Sequence, residues 1–317
     1  MYDTMFLVAA TILGACIGSF LNVVIHRLPR GGMRAFGARS VCPACKQRIA
    51  WSDNLPILGW LRLRGKARCC GVRIAFRYPL VEGLTALAFA VLWAAPPFGV
   101  GFRFPDVQAT ALLAFVFHAY FVSNLLANTF IDIDFRILPD VLTFQGMFVG
   151  LAGSLVVPGL AGTFTVDIPG QERASSFVFS AAGLALGVGA TWAIRALGTL
   201  AFRREAMGLG DVKFMGAIGA FLGWQGVLYT LFLGSLLGAL WGSLHKLRTG
   251  QGEIYFGPFL AAGALISLFA RESIHRWMFV LLPEWQQTHP ESSWVLLGGA
   301  ALSFVLLLWM IRRGRRS

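Results

Sequence analysis

The sequence predicts an all-α polytopic membrane protein of about eight or nine transmembrane helices, with a small cysteine-containing cytoplasmic loop domain. Three observations carry that expectation. Of 317 residues, 56% are hydrophobic and only 13% charged, with mean hydropathy +0.68, a balance outside the range of soluble globular chains. Apolar runs recur, most near the ~20 residues that cross a bilayer as helix. The 27 Lys and Arg outnumber the 15 Asp and Glu, for a net charge of +12, and gather between the apolar runs. That pattern fits basic loops against an anionic membrane face and argues against a nucleic-acid-binding domain.

The first expected span covers residues 5–28. The residues before it include an acid and no Lys or Arg, unlike a signal peptide, so the helix is read as retained with its N-terminus outside. Gly14 and Gly18 form a small-residue packing pair within it, and Ser19, Asn22 and His26 share one face at helical spacing. Interhelical hydrogen bonding accounts for that face better than catalysis does. Cys16 reads as a small buried residue.

Residues 29–78 form the one sizeable soluble segment, with eleven Lys or Arg and the single acid Asp53. By the positive-inside rule it is cytoplasmic. It holds four of the five cysteines, Cys42, Cys45, Cys69 and Cys70. In a reducing compartment four thiols point to a metal before a disulfide set, and a zinc ion would staple a loop too short to build a core. The vicinal placing of Cys69 and Cys70 works against both reaching one ion, which leaves unligated thiols as the alternative.

A second span is expected over residues 78–96, with Glu82 near its cytoplasmic end. The bland reading of Glu82 is an ion pair with Arg77 or another base; the functional one is a substrate contact. The third span begins near Ala109 and ends in Phe-Ile-Asp-Ile-Asp-Phe-Arg-Ile-Leu-Pro-Asp. Asn124, Asn128 and Asp132 fall at steps of four and give one helix face a polar stripe, close to His118, that should face protein or a wet cavity. Asp132 stands at a helix C-terminus, where the dipole disfavours a carboxylate. Asp134 points elsewhere around the helix, and Asp140 is placed to cap the fourth span.

The fourth span runs to about residue 159, and an outer loop containing Asp167, Glu172 and Arg173 leads to a fifth ending near residue 200. Arg203 and Arg204 mark the inside again, so Asp211, in Met-Gly-Leu-Gly-Asp-Val-Lys, is expected on the same side as Asp132. Gly208 and Gly210 allow this turn to sit tightly against a neighbour. Read alone, Asp211 is an N-cap; paired with Asp132, it suggests an aspartyl protease. Neighbouring carboxylates cannot easily both ionise, so one can act as acid while the other activates water. Lys213 either holds one of these carboxylates ionised or snorkels to headgroups. Gly216, Gly219 and Gly223 interrupt a short sixth span. A seventh covers residues 226–244, an eighth opens at Tyr255-Phe256-Gly257-Pro258, and a ninth, residues 293–311, precedes a basic tail. No internal repeat is evident.

The two aspartate stretches resemble the dyad motifs of the type IV prepilin peptidases, D-x5-[IL]-P-[DN] and GxGD, in which Asp132 and Asp211 align with the catalytic positions. The segment from Asp53 to Lys66, the Tyr-Pro-Leu-Val-Glu stretch ending at Glu82, and Phe256-Gly257-Pro258 are also similar to the family, so the likeness covers most of residues 14–270. That loop usually carries two CxxC pairs; here Ala67 stands at the third cysteine and Cys70 at the fourth, with Cys69 as the candidate substitute. The resemblance implies a bifunctional inner-membrane enzyme that cleaves leaders from prepilins and secretion pseudopilins and then methylates the new N-terminus with S-adenosylmethionine. On this reading residues 1–28 are the first helix, 29–78 the basic loop domain with a candidate zinc site, 79–270 the peptidase core, and 271–317 an extension. Asp132 and Asp211 would be catalytic, with Glu82, Lys213, Gly208, Gly210 and Asn128 as substrate or support residues. The basic loop is read as meeting anionic lipid in preference to the leader. A proton-relaying transporter and a different GxGD protease are the competing readings; the absence of a repeat weighs against the first and the cysteine loop against the second.

Overall fold

In the computed structural model, residues 2–31, 41–42, 44–94, 109–162, 171–203, 205, 207–249, 255–289, 291 and 294 are described. Nine α-helices occur among them: α1 (Tyr2–Gly31), α2 (Leu58–Arg62), α3 (Arg77–Ala94), α4 (Ala109–Phe135), α5 (Asp140–Val156), α6 (Glu172–Phe202), α7 (Leu209–Thr249), α8 (Gly257–Arg276) and α9 (Leu282–Thr288). The only strand-like pairings among these residues are two isolated bridges in the loop domain. The chain is a multi-pass all-α membrane protein.

The expected eight or nine spans are not what the helices provide. Four are long and apolar enough to cross a membrane: Thr4–Gly31, Ala109–Phe135, Glu172–Ala201 and Leu209–Arg248. The sequence count treated every apolar run as a crossing, and tertiary structure corrects it in three places. The runs assigned to a sixth and seventh span follow one another without a loop in α7, whose 41 residues are two helical segments meeting at a kink at Gly223 (φ 67°, ψ −176°). No polar stretch separates the two halves, so they meet at the kink with no connecting loop. The helix over Asp140–Val156 is apolar but only 17 residues long, roughly 25 Å at 1.5 Å per residue and short of a bilayer core. α3 and α8 carry Arg77 and Glu82, and Arg271, Glu272 and Arg276, within their lengths, and fall outside the apolar set. The ninth expected span, apart from Trp294, lies outside the described residues.

α4 is the central element. Its Phe121, Val122, Leu125 and Ile131 are at most 2% exposed, and it touches α1, α3, α5 and α8. Phe121 stacks on Phe221 of α7 with ring centroids 4.5 Å apart. Lipid is as apolar as these side chains, so association rests on close packing and interhelical hydrogen bonds more than on hydrophobic transfer. α1 lies on α3 through Gly14 and Gly18: a Cβ at Gly18 would come 2.6 Å from the Glu82 Cα. Ser180 Oγ of α6 donates to the Ala220 carbonyl of α7 at 2.6 Å. At the α7 break, Arg271 of α8 donates to the Leu222 carbonyl (3.4 Å), the Ala161 carbonyl (2.8 Å) and Gln225 Oε1 (2.5 Å), so a freed backbone acceptor there has a partner.

Candidate functional site

Asp132 ends a buried polar row. Asn124 Nδ2 donates to the Leu142 carbonyl of α5 at 3.0 Å, and Asn128 Nδ2 donates to the Asn124 carbonyl and side-chain oxygen, each at 2.9 Å. Asn128 is fully buried, and its Oδ1 has no hydrogen-bond partner among the described residues. The polar stripe on α4 therefore serves helix packing in its middle and reaches Asp132 at its end. Asp132 is 7% exposed and accepts the Gly257 backbone N–H at the start of α8.

Asp211 comes from the first turn of α7 and is not the N-cap. It is the third helical residue, and its carboxylate reaches back to accept the backbone N–H of Gly208, the residue before the helix; this is the reach-back half of a capping box. A Cβ at Gly210 would lie 3.0 Å from Leu138 Cβ, so the glycine turn packs on the turn that follows α4. The two segments, distant in sequence, thereby bring Asp132 and Asp211 close enough for their charges to repel.

The surrounding charges are partnered differently from the sequence expectation. Lys213 pairs with Asp140 at 2.7 Å and with neither Asp132 nor Asp211. Asp140 makes no cap: Pro139 is the N-cap residue of α5 and provides no side-chain hydrogen bond. Asp134, exposed, forms an ion pair with Arg77. That leaves Glu82 without Arg77; its carboxylate instead accepts the Ile57 N–H at 2.7 Å and the Ser19 hydroxyl. Glu82 thus joins the loop domain to α1 and α3. Asn22 Nδ2 donates to the Tyr78 carbonyl at 3.1 Å, an interhelical role of the kind read for that face. Arg30, Arg77 and Arg136 lie over the rings of Phe135, Phe130 and Tyr255, 4.7–5.8 Å from their centroids, and give this end of the bundle a cationic fringe.

The loop domain has little core. Its one acid, Asp53, is gripped by Arg62 and Arg68 at 2.7 Å each, and Trp60 Nε1 donates to the Ile74 carbonyl at 3.1 Å. The four cysteines form a cluster whose Sγ atoms all lie within 4.8 Å of one another. Cys42 and Cys70 are 3.6 Å apart, Cys45 and Cys69 3.2 Å, and Cys69 and Cys70 3.8 Å. Four thiolates around one zinc ion stand ~3.8 Å apart when each Zn–S bond is ~2.3 Å, so the cluster can hold a metal. The vicinal pair does converge, contrary to the sequence expectation, because the chain turns at Gly71 (φ 70°).

Two matching turns build this cluster, in the two-pair arrangement that the family resemblance implies. In one, Cys42 N–H bonds to the Gln47 carbonyl (2.8 Å) and Lys46 N–H to the Cys42 carbonyl (2.9 Å), inside a Val41–Arg48 bridge. In the other, Ala67 N–H bonds to the Val72 carbonyl and Gly71 N–H to the Ala67 carbonyl, both 2.8 Å, inside a Lys66–Arg73 bridge. Ala67 thus occupies the position of Cys42, Cys70 that of Cys45, and Cys69 lends its thiol from the turn between. Backbone N–H groups of Cys45 and Ala44 hold the Cys42 thiol down to about 6, whereas hydrogen bonding to Cys45 and burial push Cys69 up to about 12. One thiolate is ready at neutral pH, and the group as a whole titrates as a coupled set.

A family model described as Bacterial Peptidase A24 N-terminal domain matches residues 12–95, and one described as Type IV leader peptidase family matches residues 119–243. A protein of Aeromonas hydrophila named prepilin leader peptidase/N-methyltransferase is 37% identical over 289 residues, covering 82% of this chain and 89% of its own. Proteins with the same name in Myxococcus xanthus and Dickeya chrysanthemi are 37% and 34% identical; the matches cover 79% and 84% of this chain and 66% and 93% of theirs. No solved structure matches. The relatives and the multi-span fold place the chain in the inner membrane.

Proposed function

Because the chain belongs to the type IV prepilin leader peptidase/N-methyltransferase family, we propose that it cleaves the leader of type IV prepilins and pilin-like pseudopilins at the cytoplasmic membrane face with Asp132 and Asp211. Membership brings a peptidase and methyltransferase type of activity; the residues are our assignment. The observation that carries it is that α4 and α7 bring two carboxylates near enough for the charge of Asp132 to act on Asp211, where the glycine turn packs on Leu138. Lys213, two residues beyond Asp211, is engaged by Asp140 and not by the pair.

In this reading the substrate helix approaches laterally and its leader junction unwinds beside the pair. One aspartate, ionised, takes a proton from water as that water attacks the scissile carbonyl. The other, protonated, gives its proton to the leaving amine. The two share their protons as a unit, so the roles belong to the pair. Gly208 and Gly210 support the turn that presents Asp211, and Asn128 supports the α4 face that presents Asp132. Residues 29–78 form the accessory domain and 79–270 the peptidase core. Cys42, Cys45, Cys69 and Cys70 would hold zinc, which supplies a fold-stabilising cross-link in a domain with little core. N-methylation with S-adenosylmethionine would follow cleavage; no residue is assigned to it, as the described residues hold no glycine-rich nucleotide loop on a strand-to-helix turn.

The test is cleavage of a prepilin in membranes containing equal amounts of wild type, Asp132→Asn and Asp211→Asn. Both variants should lose activity by roughly 100-fold or more, as expected when a general acid or base is removed. Retained activity in either would remove that residue from the chemistry.

A further inference from the structure

Asp132 sits at the C-terminal end of α4, where that helix's own carbonyls disfavour an anion. A second helix offsets this. α8 begins at Gly257, and the Gly257 backbone N–H donates to the Asp132 carboxylate. The first turn of any helix leaves N–H groups without intrahelical partners, and here their use can be followed. Pro258 has no N–H, and those of Phe259 and Leu260 both go to the Phe256 carbonyl at 3.1 Å. Within residues 257–260, Gly257 is the donor directed at Asp132.

The approach also depends on the missing side chain. A Cβ on Gly257 would stand 2.5 Å from Asp132 Oδ2 and 3.2 Å from its Cγ, too close for the carboxylate to keep its place. The neighbour that would have to give is a 7%-exposed side chain against the start of α8, not a mobile tip in solvent.

We propose that Gly257 is a positioning residue of the peptidase site, fixing the Asp132 carboxylate through its N–H at a distance that only glycine allows. The proposal rests on Asp132 and Asp211 being the reacting pair. It assigns the start of α8 to the site, so that three helices build it: α4 and α7 bring the acids, and α8 orients one of them.

The test uses the full-length enzyme with prepilin as substrate. Gly257→Ala should lower kcat roughly 10- to 100-fold with KM within about twofold, the pattern of a misplaced reacting group in a site that still binds. Gly263→Ala is the control: it also forces a Cβ on α8 against backbone, 2.8 Å from the Thr230 carbonyl, but far along the helix from Asp132, and should keep kcat. Thermal midpoints give a readout independent of activity. The destabilisation by Gly257→Ala should largely vanish in an Asp132→Ala background, because residues in contact do not act additively. An equal penalty in both backgrounds would overturn the contact, including where Gly257→Ala alone fails to fold. Wild-type kcat in Gly257→Ala beside an inactive Asp132→Asn would overturn the positioning role and leave the aspartate pair standing. Full activity in Asp132→Asn would overturn both.

Discussion

Replacing Glu82 by Ala should release the loop domain from the membrane helices. Glu82 is 8% exposed, and its carboxylate accepts the Ile57 N–H at 2.7 Å and the Ser19 hydroxyl. Hydrogen bonds to a charged group contribute about 1.5–3 kcal/mol each. Ile57 also has φ 60°, a backbone state that costs a β-branched residue about 1–3 kcal/mol and persists only while its surroundings hold it. Loss of the bond to Ile57 alone should therefore raise the local opening constant roughly 10- to 150-fold, with the relieved backbone strain acting in the same direction. Hydrogen exchange of the full-length protein reads this directly: peptides spanning residues 55–62 should exchange faster by that factor, while peptides from α4 stay as in wild type. Glu82→Gln keeps an acceptor without the charge and should fall between. Wild-type exchange at residues 55–62 in Glu82→Ala would refute the tether.

Three other outcomes follow from the geometry. Gly18→Leu drives a side chain against the α3 backbone at Glu82 and should cost about 1–3 kcal/mol, read as a lowered thermal midpoint. Zinc binding to the cysteine domain should weaken as pH falls and release protons, since metal-bound thiols must be deprotonated and the Cys69 thiol, pushed up to about 12, is protonated at neutrality; a zinc affinity independent of pH between 6 and 8, or unchanged in Cys69→Ser, would exclude Cys69 as a ligand. Lys213→Met breaks a pair with the 61%-exposed Asp140 side chain and should change stability by about 1 kcal/mol or less; a larger loss would show a role for Lys213 beyond that pair.

Local chemistry in the sequence determined much of this protein. The start of α4 at Ala109 and the steps of four from Asn124 to Asp132 follow from side-chain periodicity, and the clustering of four cysteines in a basic loop is plain from composition. Charge bias between apolar runs placed Asp132 and Asp211 on one side, and the structure brings their turns together. Tertiary structure decided what depends on pairing across the chain. Lys213 could have faced any of several acids, and packing of α5 against α7 gave it Asp140. Arg77 went to Asp134, which left Glu82 to the Ile57 amide. Cys69 joined its vicinal neighbour through a turn that lacks a cysteine at Ala67. The number of spans followed the same division: hydropathy marks where a helix can lie in lipid, but whether two apolar runs are parted by a loop or meet directly is decided at the Gly223 kink, where Arg271, nearly fifty residues away, donates to the Leu222 carbonyl.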